Sequence, residues 1–497
     1  MSGPVRPQLV ATLTEPLSPS GDELRRLAGV ADWLELRADL VGDVPHEALR
    51  EHFPGRLVYT LRSRAEGGAF AAARERRRKR IAEASAGFDL VDLEGDRDLA
   101  PDLLGRIEAD RRLVSWHGAA ADAPALRSRL DHLLATRAAF YKLVPRAAHS
   151  GDELAVLEVL SGLERGDVVA FAAGEVGFWT RLVAPQLGSP LVYGSVGEAP
   201  AAPGQPTIAR LVRDWGLPDL APASRLFGVV GRPALGSLSP RLHNAAYRSH
   251  GIDALFVPFE VEHFGDFWLE IVEGDLLPRL GLPLAGLAVT MPHKEIAFAV
   301  AGAASPLATR LQAANTLVRT RGVWEGESTD AEGVVAALGA RGVALRGRRA
   351  AVVGCGGAGR AAAIGLALAG ANVVLVNRGA ERGLAAAQAL QLPFVPLEKL
   401  EPARFDLFVH ATPLGRGPAD ELPLPVARLP AESVVVDLAY REQPTRLVAE
   451  ARRRGLVAVD GREVLLRQAV PQFRLMTGRE LPVELGRQVL GLDEVVE

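Results

Sequence analysis

Short β-rich runs recur through the first 200 residues at nearly even intervals. They start near Leu9, Trp33, Leu57, Asp89, Arg112, Phe140, Val168 and Leu191, 23 to 32 residues apart. Helix-compatible segments, such as 71–86 and 125–137, lie between most of them. Strand–helix units at this spacing, packed into about 215 residues, predict a (β/α)8 barrel near the short end of its size range, with some brief outer helices. No sequence repeat accompanies the period, so a solenoid is not expected.

A turn-rich stretch, 216–224, then reads as a linker. The pattern beyond it differs. RLFGVVG at 225–231 opens a new β-rich series, with strands expected at 254–259, 284–290 and 315–319. From Arg348 the chain reads strand, glycine turn, Ala-rich helix and strand, which is a βαβ unit. Strands at 406–410 and 433–438 continue an open α/β sheet. The expected fold class is α/β: an N-terminal (β/α)8 barrel, then a two-lobed region whose second lobe is of Rossmann type. The expected boundaries are 1–217 for the barrel and 218–224 for the linker. A substrate-side lobe covers 225–329, completed by about 467–497, and a dinucleotide lobe covers 330–466.

Composition narrows the function. The chain has 497 residues, 48% apolar and 24% charged, with net charge -3, which does not suggest a nucleic-acid partner. The first 16 residues lack a secretory pattern, and no apolar run is long enough to span a bilayer, so a cytoplasmic protein is expected. One cysteine, Cys355, allows no disulfide within the chain. Inside the glycine turn it reads as a small filler. Only four of 57 basic residues are lysines: Lys79, Lys142, Lys294 and Lys399. Codon bias explains the scarcity. Its corollary is that a surviving lysine can mark chemistry arginine cannot perform, because lysine can lose its proton and attack a carbonyl. The basic run at 74–80 reads as a solvated helix face. No histidine cluster has metal-ligand spacing, so no metal is expected.

In the barrel, polar residues collect at the C-terminal strand ends, where such folds place their sites. Glu35 and Arg37 share one face of the second strand. Arg62 ends the third and Glu66 follows it; His117 lies at the end of the fifth, Lys142 in the sixth, and Arg181 after the seventh. Burial would make Lys142 a free amine able to condense with a ketone. His117 can move the adjacent proton, Glu66 can fix its tautomer, and Arg181 can clamp a carboxylate. The segments ELRAD (35–39), TLRSRAEGG (60–68), SWHG (115–118), YKLV (141–144) and APGQ (202–205) resemble type I 3-dehydroquinate dehydratase. The resemblance implies a Schiff base on Lys142, with His117 as acid/base partnered by Glu66. Arg181 would bind the substrate carboxylate, and Glu35, Arg37, Arg62 and Gln205 its hydroxyls. Ala201 replaces the family's usual serine, and Trp116 and Gly118 replace its usual Asn and Asp.

Gly354, Gly356 and Gly359 form G-x-G-x-x-G between a strand and a helix, the context of a dinucleotide pyrophosphate site. The following strand ends in Asn377 and Arg378, with Arg382 beyond, so arginines stand where an NAD site has an acid. This predicts NADP(H). Lys294 and Asp330 can form an acid/base couple for reduction of a ketone. SLSP (237–240), VTMPHKE (289–295), AANTL (313–317), TDAEG (329–333), GCGGAGR (354–360), ATPLG (411–415), DLAY (437–440) and GREVLLRQAVPQF (461–473) resemble shikimate dehydrogenase. The resemblance implies that Ser237, Ser239, Thr290, Asn315, Tyr440 and Gln468 hold the substrate, and that Lys294 and Asp330 act at the reacting oxygen. Gly357 belongs to the cofactor loop. Ala288, Ser328 and His410 stand where the family prefers Asn.

The two implied reactions are consecutive. The expected function is a bifunctional enzyme that dehydrates 3-dehydroquinate and reduces 3-dehydroshikimate with NADPH, with these small molecules as its partners. Other readings remain: one inactive half, a quinate/shikimate dehydrogenase, or a non-catalytic metabolite sensor.

Overall fold

The computed structural model describes residues 6–16, 21–415, 422 and 424–492. All eight expected N-terminal strands are present: β1 (Gln8–Leu13), β2 (Trp33–Arg37), β3 (Arg56–Thr60), β4 (Leu90–Glu94), β5 (Arg112–Ala119), β6 (Phe140–Arg146), β7 (Val168–Ala170) and β8 (Leu191–Ser195). Their sheet order is β7-β6-β5-β4-β3-β2-β1-β8, with every pair parallel. β8 thus returns to β1, as a rolled barrel sheet requires. No ladder joins β7 to β8 among the described residues. Several outer helices are only four residues long, including Asp22–Arg25, Ala38–Val41 and Pro101–Leu104, which is how so short a chain completes the circuit.

The longer helix Ala123–Leu134 shows why the outer layer forms. Asp122 accepts a hydrogen bond from Ala125 N at 2.9 Å and caps the first turn, where Pro124 is tolerated. Leu126, Leu130 and Leu133 then fall on one face and are buried. They join Leu113, Val114 and Leu143 from β5 and β6 in one core. The alternate strand residues point inward, and several are charged: Glu35, Asp92, Glu94 and Lys142 are each at most 5% exposed.

The described chain divides into two compact units that do not follow chain order. One contains 1–227, 233–240 and 251–284; the other contains 228–232, 241–250 and 285–497. Leu284–Val289 pairs antiparallel with Thr316–Thr320, which pairs antiparallel with Val323–Glu327. Arg321 and Gly322, with φ of 51° and 86°, form the two-residue turn between these last strands. The sequence reading lacked this hairpin, because arginine is an unusual residue for a left-handed turn position.

A fully parallel six-stranded sheet follows. Its order is 394–396, 372–377, 349–353, 407–410, 434–437, 457–459. This is the doubly wound order 3-2-1-4-5-6, whose topological switch lies between the first and fourth strands. Helix Gly357–Leu368 buries Ala361, Ala362, Ile364 and Leu366 on one side of it. Phe405, Leu424, Leu447 and Val448 belong to the core on the other side. The short strands Phe394–Pro396 and Val457–Val459 were not expected, since three residues carry no readable period. No helix among the described residues is long and apolar enough to cross a membrane.

One sequence expectation is corrected here. The basic run forms helix Arg74–Ala84, but it is not solvated throughout: Arg77 is buried and donates to Asp98 at 2.7 and 2.8 Å, and to the Leu61 carbonyl. One helix position in four turns towards the barrel, and a long guanidinium stem can reach an acid there. Arg77→Ala strands the Asp98 carboxylate in the interior. It should lower the barrel's unfolding free energy in urea by about 3–5 kcal/mol. Lys79→Ala, on the exposed face, should stay within about 0.5 kcal/mol.

Candidate active sites

Lys142 projects from mid-β6 into the barrel and is 5% exposed. Its Nζ lies 3.9 Å from Glu35 Oε1 and 3.7 Å from the centre of the Tyr193 ring. Burial pulls its pKa down to about 8, against the opposing pull of Glu35 and Asp92. At pH 7 roughly a tenth of the amine is then free, some two to three orders of magnitude more than for an ordinary lysine. This is the condition for attack on a carbonyl.

His117 lies on neighbouring β5. Its Nδ1 is 3.2 Å from Glu66 Oε2, and the same oxygen accepts the His117 backbone N–H at 3.0 Å. The carboxyl therefore fixes both ring and backbone. Burial raises Glu66 to about 8, with Glu94 and Asp92 adding to the rise and Arg62 opposing it. Burial, aided by Arg62 and Lys142, holds His117 well below its ordinary value. The imidazole is thus neutral, which leaves one ring nitrogen without a proton.

The other barrel residues are more tightly engaged. Arg62 donates to Asp92 at 2.6 Å, Ser115 at 3.0 Å, Glu66 at 3.2 Å and Glu94 at 3.4 Å. Arg37 is held bidentately by Asp39 at 2.8 Å. Asp39 also accepts the backbone N–H groups of Arg62 and Ala69, so it ties the loop carrying Glu66 to β2. Glu35 accepts from Thr12 and Thr60, both at 2.8 Å, and Gln205 Nε2 donates to Thr12 at 3.2 Å. Sequence reasoning missed Thr12, Asp39, Asp92 and Tyr193. Alternation along LVDLE, which puts Asp92 on the face of Glu94, was the available signal for one of them.

Arg181 is the exception. Each other buried arginine among the described residues, Arg37, Arg62, Arg77, Arg241 and Arg462, has a carboxylate partner. Arg181 has none; it stacks 4.1 Å from the Phe171 ring, donates weakly to the Tyr193 carbonyl at 3.4 Å, and leaves Nε unpartnered. Burial lowers even its pKa, to about 10. A buried cation without a counter-ion is a ready site for an anionic group.

In the second unit, Lys294 begins helix Lys294–Val300 and Asp330 begins helix Asp330–Gly339. Their side chains form a short ion pair. Asn315 Nδ2 donates to Asp330 Oδ1 at 2.7 Å and to Thr329 Oγ1 at 2.9 Å. Gln472, which sequence reasoning missed, donates to Thr316 Oγ1 at 2.8 Å and steadies this segment. Thr290 and Tyr440 are half-buried at strand ends, and Gln468 lies on helix Gly461–Thr477. Ser237 and Ser239 are buried in the first unit, where Ser239 N donates to Ser237 Oγ at 3.2 Å.

The glycine loop closes the gap between the first parallel strand and its helix. Gly354 has φ of 112°, and a Cβ there would lie 2.6 Å from the Ala411 carbonyl; one on Gly359 would overlap Gly354 O. Bare backbone thus lines the N-terminus of helix Gly357–Leu368, starting from Gly356, which fits a pyrophosphate. Asn377 Oδ1 accepts from Cys355 N at 3.3 Å and shapes the loop. Arg378 and Arg382 are exposed just beyond it. Burial pushes the Cys355 thiol up to about 11, which leaves it unreactive. The Lys294 stem runs beside Gly357, so the ion pair adjoins the loop.

Residues 10–214 match the type I 3-dehydroquinase family. Residues 229–317 match the shikimate dehydrogenase substrate binding domain, and 461–490 the shikimate 5'-dehydrogenase C-terminal domain. A shikimate dehydrogenase (NADP(+)) of Acidiphilium cryptum is 42% identical over 257 residues, 51% of this chain and 91% of that protein. The chain belongs to the shikimate dehydrogenase family. Ahead of its shikimate dehydrogenase region it carries a type I 3-dehydroquinase region. The same pairing occurs in a chloroplastic bifunctional 3-dehydroquinate dehydratase/shikimate dehydrogenase of Arabidopsis thaliana. That protein is 29% identical over 494 residues, 93% of this chain and 80% of its own. The solved shikimate dehydrogenase of Aquifex aeolicus superposes with a TM-score of 0.50 at 28% identity, covering 54% of this chain and 97% of that one.

Within the shikimate dehydrogenase region, His410 is fully buried and bonded at both ring nitrogens, to Asp437 at 2.8 Å and to Thr412. Its part is to tie two strand ends together. For the 3-dehydroquinase region, Lys142 offers the direct test. If its lysines are methylated with 13C and titrated by NMR, the Lys142 signal should have a midpoint near 8. A midpoint near 10.5 would contradict the burial argument.

Proposed function

We propose that this chain catalyses two consecutive reactions: dehydration of 3-dehydroquinate through a Schiff base, and reduction of 3-dehydroshikimate to shikimate by NADPH. The observation that carries the first is the gathering of a depressed lysine, a neutral histidine on its carboxyl and an unpaired buried arginine in one barrel. Arg181 takes the substrate carboxylate. The free Lys142 amine adds to the ketone, and loss of water leaves an iminium. His117 then removes the proton from the adjacent carbon and returns one to the departing hydroxyl. Hydrolysis of the iminium frees the product and restores the amine. Glu66 orients His117; Glu35, Arg37, Arg62 and Gln205 border the hydroxyl positions.

For the second reaction, NADPH supplies the hydride when bound. The backbone at Gly354, Gly356, Gly357 and Gly359 receives the pyrophosphate, Asn377 shapes that loop, and Arg378 with Arg382 pairs the 2'-phosphate. Lys294 hands a proton to the oxygen that gains charge, and Asp330 holds the ammonium in place, itself favoured at a helix N-terminus. Ser237, Ser239, Thr290, Asn315, Tyr440 and Gln468 are assigned to substrate oxygens on the family resemblance. On this reading the working divisions are 1–217, 225–329 with 467–497, and 330–466, with 218–224 as the linker. The lone buried cysteine supports a cytoplasmic setting.

The test is stoichiometric. With 3-dehydroquinate and NADPH, one nucleotide should be oxidised per shikimate formed; no oxidation from 3-dehydroquinate, with normal reduction of added 3-dehydroshikimate, would reject the barrel half. Lys294→Arg should slow reduction by about tenfold or more while leaving dehydration unchanged. A joint Arg378→Ala, Arg382→Ala change should raise KM for NADPH about tenfold or more and leave that for NADH nearly constant. Equal effects on both nucleotides would remove the phosphate assignment.

A further inference from the structure

We propose that Tyr193 is a positioning residue of the barrel site, serving the nucleophile with its ring and the substrate with its hydroxyl; this rests on the dehydratase reading above. Tyr193 lies on β8, and its ring centre is 3.7 Å from Lys142 Nζ. The face of an aromatic ring is electron-rich and attracts a nearby cation. It therefore favours the ammonium, and later the iminium that replaces it, without a directed bond to the nitrogen. The lone pair of the free amine stays available for attack. A carboxylate in the same place would lock the proton on; Glu35, at 3.9 Å, stands just too far for that.

The hydroxyl is the independent observation. Tyr193 is 2% exposed, and its Oη has no hydrogen-bond partner among the described residues. Buried phenols normally find one. Glu35, Asp92, Arg62 and Arg181 all act electrostatically on this buried hydroxyl, so it shares the barrel interior with the acid–base groups and the unpaired arginine. Phenylalanine would serve the amine as well. The unspent donor is addressed to a ligand oxygen, and the chemistry it suits is a hydroxyl or carboxylate oxygen of the polyhydroxylated acid held by Arg181.

Two variants separate ring from hydroxyl, read by dehydratase kinetics over pH on the full chain. The groups facing Lys142, namely Glu35, Asp92, Arg62 and Arg37, stay in place in both. Tyr193→Phe should raise KM for 3-dehydroquinate about five- to twentyfold, lower kcat far less, and keep the acid limb of the pH profile. Tyr193→Leu should raise KM similarly and also move that limb downward by about one pH unit, because the ammonium loses its aromatic face. A Phe variant with wild-type KM, or a Leu variant whose limb stays or moves upward, overturns the proposal. A wild-type enzyme that does not dehydrate the substrate fails the underlying reading instead, and a wild-type urea-unfolding profile in both variants shows that the barrel has folded.

Discussion

Ionised groups inside the barrel have little water to solvate them, and that shortage governs the chemistry of the first half. Where an acid and a base can meet, they pair: Arg62 with Asp92, Arg77 with Asp98, Arg37 with Asp39. Where the pairing is incomplete, the group changes its behaviour. Lys142 becomes partly neutral, Glu66 tends to keep its proton, and Arg181 waits as an unpaired cation. The fully paired groups form the scaffold, and the incompletely paired ones are the candidates for chemistry. Each depends on the apolar shell of β-strands and short helices that excludes water.

The second half solves a different problem, that of bringing backbone close to phosphate. Its glycine loop does so sterically, because no side chain fits between Gly354, Gly359 and Ala411. The switch in strand order beside this loop opens the crevice. Asp330 is buried and Lys294 half-buried. Their pairing relies on two helix starts and on Asn315, which spends its amide on Asp330 and Thr329.

The eight strands were legible because each couples a β-rich run to a turn, and the spacing left room for one helix apiece. The candidate site was legible where a residue type is chemically singular: a lysine among arginines, a histidine at a strand end, glycines after a strand. Support residues were harder to see. Asp39 and Thr12 look like ordinary polar residues until their partners, three for Asp39 and two for Thr12, converge on them in space. Tyr193 looks like a core aromatic, and only the orphaned hydroxyl beside Lys142 marks it. Arg77, inside a basic run, could not be told from its solvated neighbours, since the run has no apolar stripe to show which way it faces. The compact units likewise join segments far apart in sequence, which no local pattern reports.

Lys142 is assigned as the nucleophile of the barrel. Borohydride added to the chain in the presence of 3-dehydroquinate reduces an iminium to a stable amine, and peptide mass mapping then locates it. That assignment requires one adduct, on Lys142, absent in Lys142→Arg and abolished when the substrate is omitted. No adduct, or one confined to Lys294, would contradict it.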